Sequence, residues 1–217
     1  MQLRRSVKAA AVASLTDARY FAALGVDYVG FAVGPGGMSL AEAAAVREWI
    51  AGPQIVAECG EQSAEQIATV TEHLRPDAVQ VGAFSTAVAG VNVRAAGGDP
   101  ELPVLQSLVL GGDLTLDLAR SIVATTAAGA SGYVCDARGL ARDWTELRGQ
   151  SAWLDWLGEL SAEHPVWLEA NVAAADLDAL LAALPRVGLQ LRGGEEEAVG
   201  VKSFDELDAL FERLEVE

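Results

Sequence analysis

The chain is poor in metal-binding and redox side chains. It has two cysteines, Cys59 and Cys135, and two histidines, His73 and His164. Neither pair shows ligand spacing, which argues against a zinc site and a disulfide framework. Two buried free thiols in a reducing, cytoplasmic setting are the expectation. Positive charge is also scarce, with 15 Lys and Arg against 31 Asp and Glu, a formal charge of -16. Such a surface repels phosphate backbones, so nucleic acid is not an expected partner. No apolar run approaches about 18 residues, so no membrane span is expected. The basic start before Ala9–Val12 is too short in its apolar part for a secretion signal and reads as a first strand. With 7 prolines in 217 residues and no Pro-, Ser- or charge-rich linker, the pattern predicts one domain over 1–217.

What the chain does have is alternation of apolar strands and helices. Strands are predicted at Ser6–Val12, Val26–Val33, Gln54–Cys59, Asp77–Val81, Pro103–Leu110 and Gly132–Cys135, with two more flanking an alanine-rich helix inside Pro165–Lys202. Helices are predicted at Thr16–Leu24, Leu40–Ile50, Ser63–His73, Leu114–Ala128, Trp153–Leu160 and Ser203–Leu214. Gly25 supplies a left-handed stop. Ser39 with Glu42 and Ser63 with Gln66 have capping-box spacing. Phe84–Glu101 is the least legible stretch and suggests a weak helix. Continuous apolar strands between helices imply a parallel sheet covered by helices. Eight repeats favour an α/β fold closed as a compact (β/α)8 TIM barrel. An open doubly wound sheet is the alternative, but no G-x-G-x-x-G follows the first strand.

Several motifs resemble one family. Val7-Lys8 with Asp17-Ala18 resembles an opening V-K-I-C-G-L-T followed by D-A, and Gly30-Phe31 with Ser39 resembles a G-F-x-F segment and its S-P-R. Asp77–Val81 resembles D-A-V-Q-L. Asp136 and Asp143-Trp144 resemble an aspartate after strand six and a later F-D-W. Gly188–Gly194 with Gly200-Val201-Lys202 resembles G-V-D-V-S-S-G-V-E and P-G-V-K. Together they resemble the phosphoribosylanthranilate isomerase family of tryptophan biosynthesis. The resemblance implies a barrel that isomerises an aminoaldose phosphate by an Amadori rearrangement. It also implies a cysteine base after strand one and an aspartate acid after strand six.

The departures fall on those positions. The cysteine is Ala10 and the following glycine is Ala11. A methyl group accepts no proton, and an acid–base group contributes roughly 10²–10⁴-fold. Asp136 is the retained acid candidate. The arginine of S-P-R is absent from 34–39, and Gly82-Ala83 replace a histidine and a glycine. At the phosphate end, A-G-G-L is replaced by Glu169-Ala170-Asn171-Val172, and S-S-G by Arg192-Gly193-Gly194. Arg192, Asn171, Gly193 and Gly194 remain candidate ligand contacts through guanidinium and backbone amides. Glu169 and Glu195–Glu197 oppose an anion unless Arg192 and Arg138 intervene. Lys8, charged inside an apolar strand, is a candidate ligand contact that could pair with Asp136 if alternation places it at the mouth, the alternative being that it snorkels to solvent at the strand end. Gln80 is expected to satisfy a hydrogen-bond need inside the barrel.

The reading is therefore an isomerase-like barrel without the family reaction, with a residual small-metabolite or phosphate-binding role. No metal or cofactor is expected, and a protein partner or homo-oligomer stays open. An active isomerase with displaced residues, or another isomerase or lyase on the same barrel, is the alternative. The dispersed acidic residues also suggest adaptation to high salt.

Overall fold

The structure is a computed structural model that describes residues 2–34, 36–85, 102–193, 196–198 and 201–216. Eight parallel strands close into a barrel, in sequence order, with β1 paired to β8. They are β1 (Val7–Ala10), β2 (Tyr28–Ala32), β3 (Gln54–Gly60), β4 (Ala78–Val81), β5 (Val104–Val109), β6 (Gly132–Asp136), β7 (Val166–Glu169) and β8 (Gly188–Arg192). A short antiparallel pair, β9 (Glu196–Ala198) and β10 (Val201–Lys202), follows β8. The closed order confirms the barrel and sets aside the open sheet.

The helices are α1 (Leu15–Ala23), α2 (Leu40–Arg47), α3 (Ala64–Leu74), α4 (Leu116–Thr126), α5 (Trp144–Gly149), α6 (Ser151–Glu163), α7 (Leu177–Ala183) and α8 (Asp205–Leu214), with a 3-10 turn at Ala174–Asp176. Both predicted capping boxes form, at Ser39–Glu42 and Ser63–Gln66. Helix α2 stops at Arg47, short of Ile50, and Arg47 turns its guanidinium onto the Leu74 and Arg75 carbonyls at the end of α3. That contact satisfies acceptors a helix C-terminus leaves open. Helix α5 was not foreseen: six residues are too few for a periodic pattern, and the start signal is Asp143, whose side chain accepts from Glu146 N. The weak helix expected within Phe84–Glu101 falls mostly on 86–101, outside the described residues.

Strand alternation sorts the side chains into two cores. Residues facing the helices, such as Val7, Ala9, Val29, Phe31, Val79, Cys135 and Leu189, join the large core between sheet and helices. The opposite parity faces the barrel axis. Its lower layer is apolar: Val56, Ala78, Leu105, Val134 and Trp167, with Tyr28 packed on them. Trp167 fills the axis because its neighbours are glycines. A Cβ on Gly188 would lie 2.7 Å from the Ser6 carbonyl oxygen and 2.9 Å from Trp167 Cδ1. The indole N–H donates to Ser6 Oγ at 3.1 Å, so its polar atom is satisfied. The layer above this floor, toward the strands' carboxyl ends, is charged.

Candidate functional site

The charged layer is built from side chains on five strands and one loop. Lys8 on β1 is fully buried, and its ammonium pairs with Glu58 of β3 and donates to Gln190 Oε1 of β8 at 2.9 Å. Gly30 on β2 leaves the space for that pair, since a Cβ there would run into the Glu58 carboxylate. The second Glu58 oxygen accepts from Ala11 N at 2.9 Å. Ala11 itself has φ +51°, a left-handed conformation unusual for a side chain with a Cβ. It stands where the resembled family carries glycine.

Gln190 links this pair to a second cluster. Its amide nitrogen donates to Glu169 Oε2 of β7 at 2.6 Å. Arg192 of β8 pairs with the same carboxylate, and Arg138, from the loop after β6, lies 3.0 Å from Glu169 Oε1. Arg138 also grips Asp136 of β6 with Nε and Nη2, at 3.0 and 2.7 Å. Lys8, Arg138 and Arg192 thus face Glu58, Glu169 and Asp136, three cations against three carboxylates. Glu169 is 5% exposed, whereas Arg138 and Arg192 are 38% and 45% exposed. Taking such charges out of water is costly unless each is paired, and here each one is.

This geometry revises several expectations. Lys8 does not pair with Asp136; its ammonium is held by Glu58 and Gln190 instead. Asp136 ends β6 rather than opening a loop. Burial alone would raise its pKa, but hydrogen bonds and charge from Arg138, with Arg192 adding, outweigh burial and hold it below the usual carboxylate range. Asn171 turns its amide onto the Arg138 and Ala141 carbonyls, at 3.4 and 3.3 Å, and so braces the β6 loop. Gly193 lies beside a carboxylate: a Cβ on it would sit 3.2 Å from Asp17 Oδ1. Gly194 and Glu195 fall outside the described residues. Gln80 is not fully satisfied, because its Oε1 is buried without a hydrogen-bond partner among the described residues.

The cysteines and histidines are remote or silenced. Burial, with Glu58 adding, pushes the Cys59 thiol up to about 12. Burial likewise raises Cys135, with Asp136 adding, and the thiol faces the helix-side core, opposite Asp136 as strand alternation predicts. His73 lies exposed on α3, and His164 packs edge-on to Tyr133. Sequence reasoning missed Glu58 and Gln190. Their signal was available: each is a polar residue at an axis-facing position of an apolar strand, the same cue that singled out Lys8.

Among the described residues, two cavities lie on the β2–β5 side of the mouth. A cavity of about 470 Å³ runs under the turn after β2, bounded by Ala32, Gly37, Glu58, Glu61 and Gln62. A second, of about 380 Å³, lies over β4 and β5, bounded by Glu58, Glu61, Gln80, Phe84, Ser107 and Val109. Asp136, Glu169 and Arg192 line neither.

No family model matches the sequence, and no curated protein matches it. Solved structures do. Phosphoribosyl anthranilate isomerase from Thermus thermophilus is 27% identical, with a TM-score of 0.71 over 96% of this chain and 98% of its own. A phosphoribosyl anthranilate isomerase in complex with reduced 1-(o-carboxyphenylamino)-1-deoxyribulose 5-phosphate is 15% identical, with a TM-score of 0.70 over 97% and 98%. A 3-keto-L-gulonate-6-phosphate decarboxylase from Vibrio cholerae is also similar, at 15% identity and a TM-score of 0.64 over 98% of both chains.

Proposed function

We propose that this chain, related across nearly its whole length to the phosphoribosylanthranilate isomerases, does not carry out their isomerisation and binds a small molecule at the barrel mouth instead. The observation that carries the proposal is Glu169. Its carboxylate sits among Arg138, Arg192 and Gln190 at the end where the resemblance would put a phosphate. An incoming phosphate would have to compete with a nearly buried carboxylate already holding both guanidinium groups, while Asp17 stands beside Gly193.

The proton chemistry points the same way. Ala10 offers no base, and both thiols are held protonated by burial. Asp136, the acid candidate, is kept ionised at neutral pH by Arg138. A general acid working near pH 7 needs the opposite shift. Lys8 is committed to Glu58 and Gln190 in the interior, which suits a structural part better than a nucleophile's.

Purified protein incubated with phosphoribosylanthranilate should leave it unconverted. Inorganic phosphate at millimolar concentration should not shift the melting temperature of the wild type, because ligand stabilisation scales with occupancy. Glu169→Gln should create a phosphate-dependent shift by releasing Arg192, while Arg138 stays on Asp136. Turnover that disappears in Asp136→Ala would overturn the proposal in favour of an active isomerase with displaced residues. A wild-type phosphate shift as large as that of E169Q would remove its central support.

A further inference from the structure

We infer that the cavity over β4 and β5 is a site for a small organic cation, an amine or amidine carried on a flat apolar body. The inference rests on the small-molecule part of the function proposed above and gives it a location and a ligand class. Three independent features meet there. The first is apolar surface left in water. Phe84 is 67% exposed and Val109 59% exposed, and both line the cavity, with Leu114 behind them. Two large apolar side chains at one rim are what a pocket for a planar apolar group presents.

The second feature is charge. Glu61 lies over Gly82, where a Cβ would collide with its carboxylate, and among the described residues its Oε1 accepts only a long 3.3 Å bond from Phe84 N. It has no ion-pair partner among the described residues, unlike Glu58 at the back wall, which is neutralised by Lys8. Gly82 therefore keeps open the space that holds an uncompensated carboxylate at the cavity's edge. The field of a chain with net charge -16 reinforces that sign. The third feature is the Gln80 amide on the wall, whose buried carbonyl oxygen has no partner among the described residues. Unpaired buried acceptors are disfavoured, and a turn of this side chain would offer the oxygen to an N–H brought by a ligand. A volume of about 380 Å³ admits a molecule of one ring and a short polar head.

Two probes of one shape and opposite charge decide the matter: benzamidine and benzoate, titrated into the full chain and followed by ligand-observed NMR and calorimetry. Benzamidine should bind and benzoate should not, and binding should weaken as salt rises. Glu61→Gln should weaken benzamidine by about two- to fivefold, as loss of one partly exposed ion pair implies. Phe84→Ala should weaken it comparably, while Glu212→Gln on α8, the helix after β8, should leave it unchanged. Both site residues are exposed, so these variants keep the fold. Absence of benzamidine binding, equal or tighter benzoate binding, or indifference to E61Q would each overturn the inference. The phosphate and turnover assays report separately on the phosphate end, so failure there leaves this test readable.

Discussion

Replacing Lys8 by methionine removes one member of a buried ion pair and keeps most of the side-chain volume. Lys8 is wholly buried and Glu58 only 12% exposed, so the stranded carboxylate cannot recover its hydration without opening the barrel. Breaking a buried pair from one side typically costs about 3–5 kcal/mol. For a chain of this size about 1 kcal/mol moves the midpoint by roughly 2–4 °C, so K8M should melt about 6–20 °C below wild type. Glu58→Gln should cost a similar amount by stranding the ammonium, although Gln can still accept from Ala11 N. The double variant K8M/E58Q holds no buried charge at either position. It should return to within about 1–2 kcal/mol of wild type, since neutral replacements of buried pairs are often tolerated. Urea unfolding at neutral pH, with the slope checked for constancy, measures all three. The two single losses should together exceed the double loss by at least about 2 kcal/mol. A K8M penalty below about 1 kcal/mol, or costs that simply add, would refute the claim that these two side chains are held charged and paired in the interior.

Asp136 gives a prediction with a pH sign. Its folded pKa is depressed, so its contribution is present above the ordinary aspartate value near 3.9 and is lost as pH falls below it. The stability gap between wild type and Asp136→Asn, measured by urea unfolding, should therefore be widest near neutrality and close toward about pH 3. Ala11→Gly should raise stability by up to about 1 kcal/mol, because relief of a left-handed alanine exceeds the entropy glycine adds to the unfolded chain; a loss on thermal melting would contradict this. Added salt should raise the melting temperature by screening a charge of -16, and a flat or falling response between low and molar salt would count against adaptation to high salt.

The barrel was legible because its signals are repeated and local. Apolar strands ending in polar residues, serine caps and glycine stops recur along the chain, and each registers without knowledge of the others. The mouth was only partly legible, for two reasons. The positions of Lys8, Asp136, Arg192 and Glu169 were visible, but their pairing depends on which strands are neighbours across the barrel, and sequence order does not state distances across an axis. Lys8 could be matched with Asp136 by charge alone; only the register of β1 on β8 puts it opposite Gln190. Asn171 shows the other limit. An amide after a strand reads as a ligand contact, yet its reach to the Ala141 carbonyl makes it a brace.

The bookkeeping of charge in the mouth also divides along the chain. Lys8 and Glu58 come from the first four strands and cancel; Asp136, Arg138, Glu169 and Arg192 come from the last four and cancel among themselves. Among the described residues, an uncharged amide, Gln190, reaches from one group to the other. Each half of the barrel can therefore bury its own ions before the halves meet, and closure of the β1–β8 seam requires no long-range neutralisation, only an amide to be satisfied. A chain cut between β4 and β5 would yield two fragments whose mouth charges are each paired internally, and whose reassembly depends on the apolar floor around Trp167, on strand pairing at two seams and on the Arg4–Asp178 ion pair.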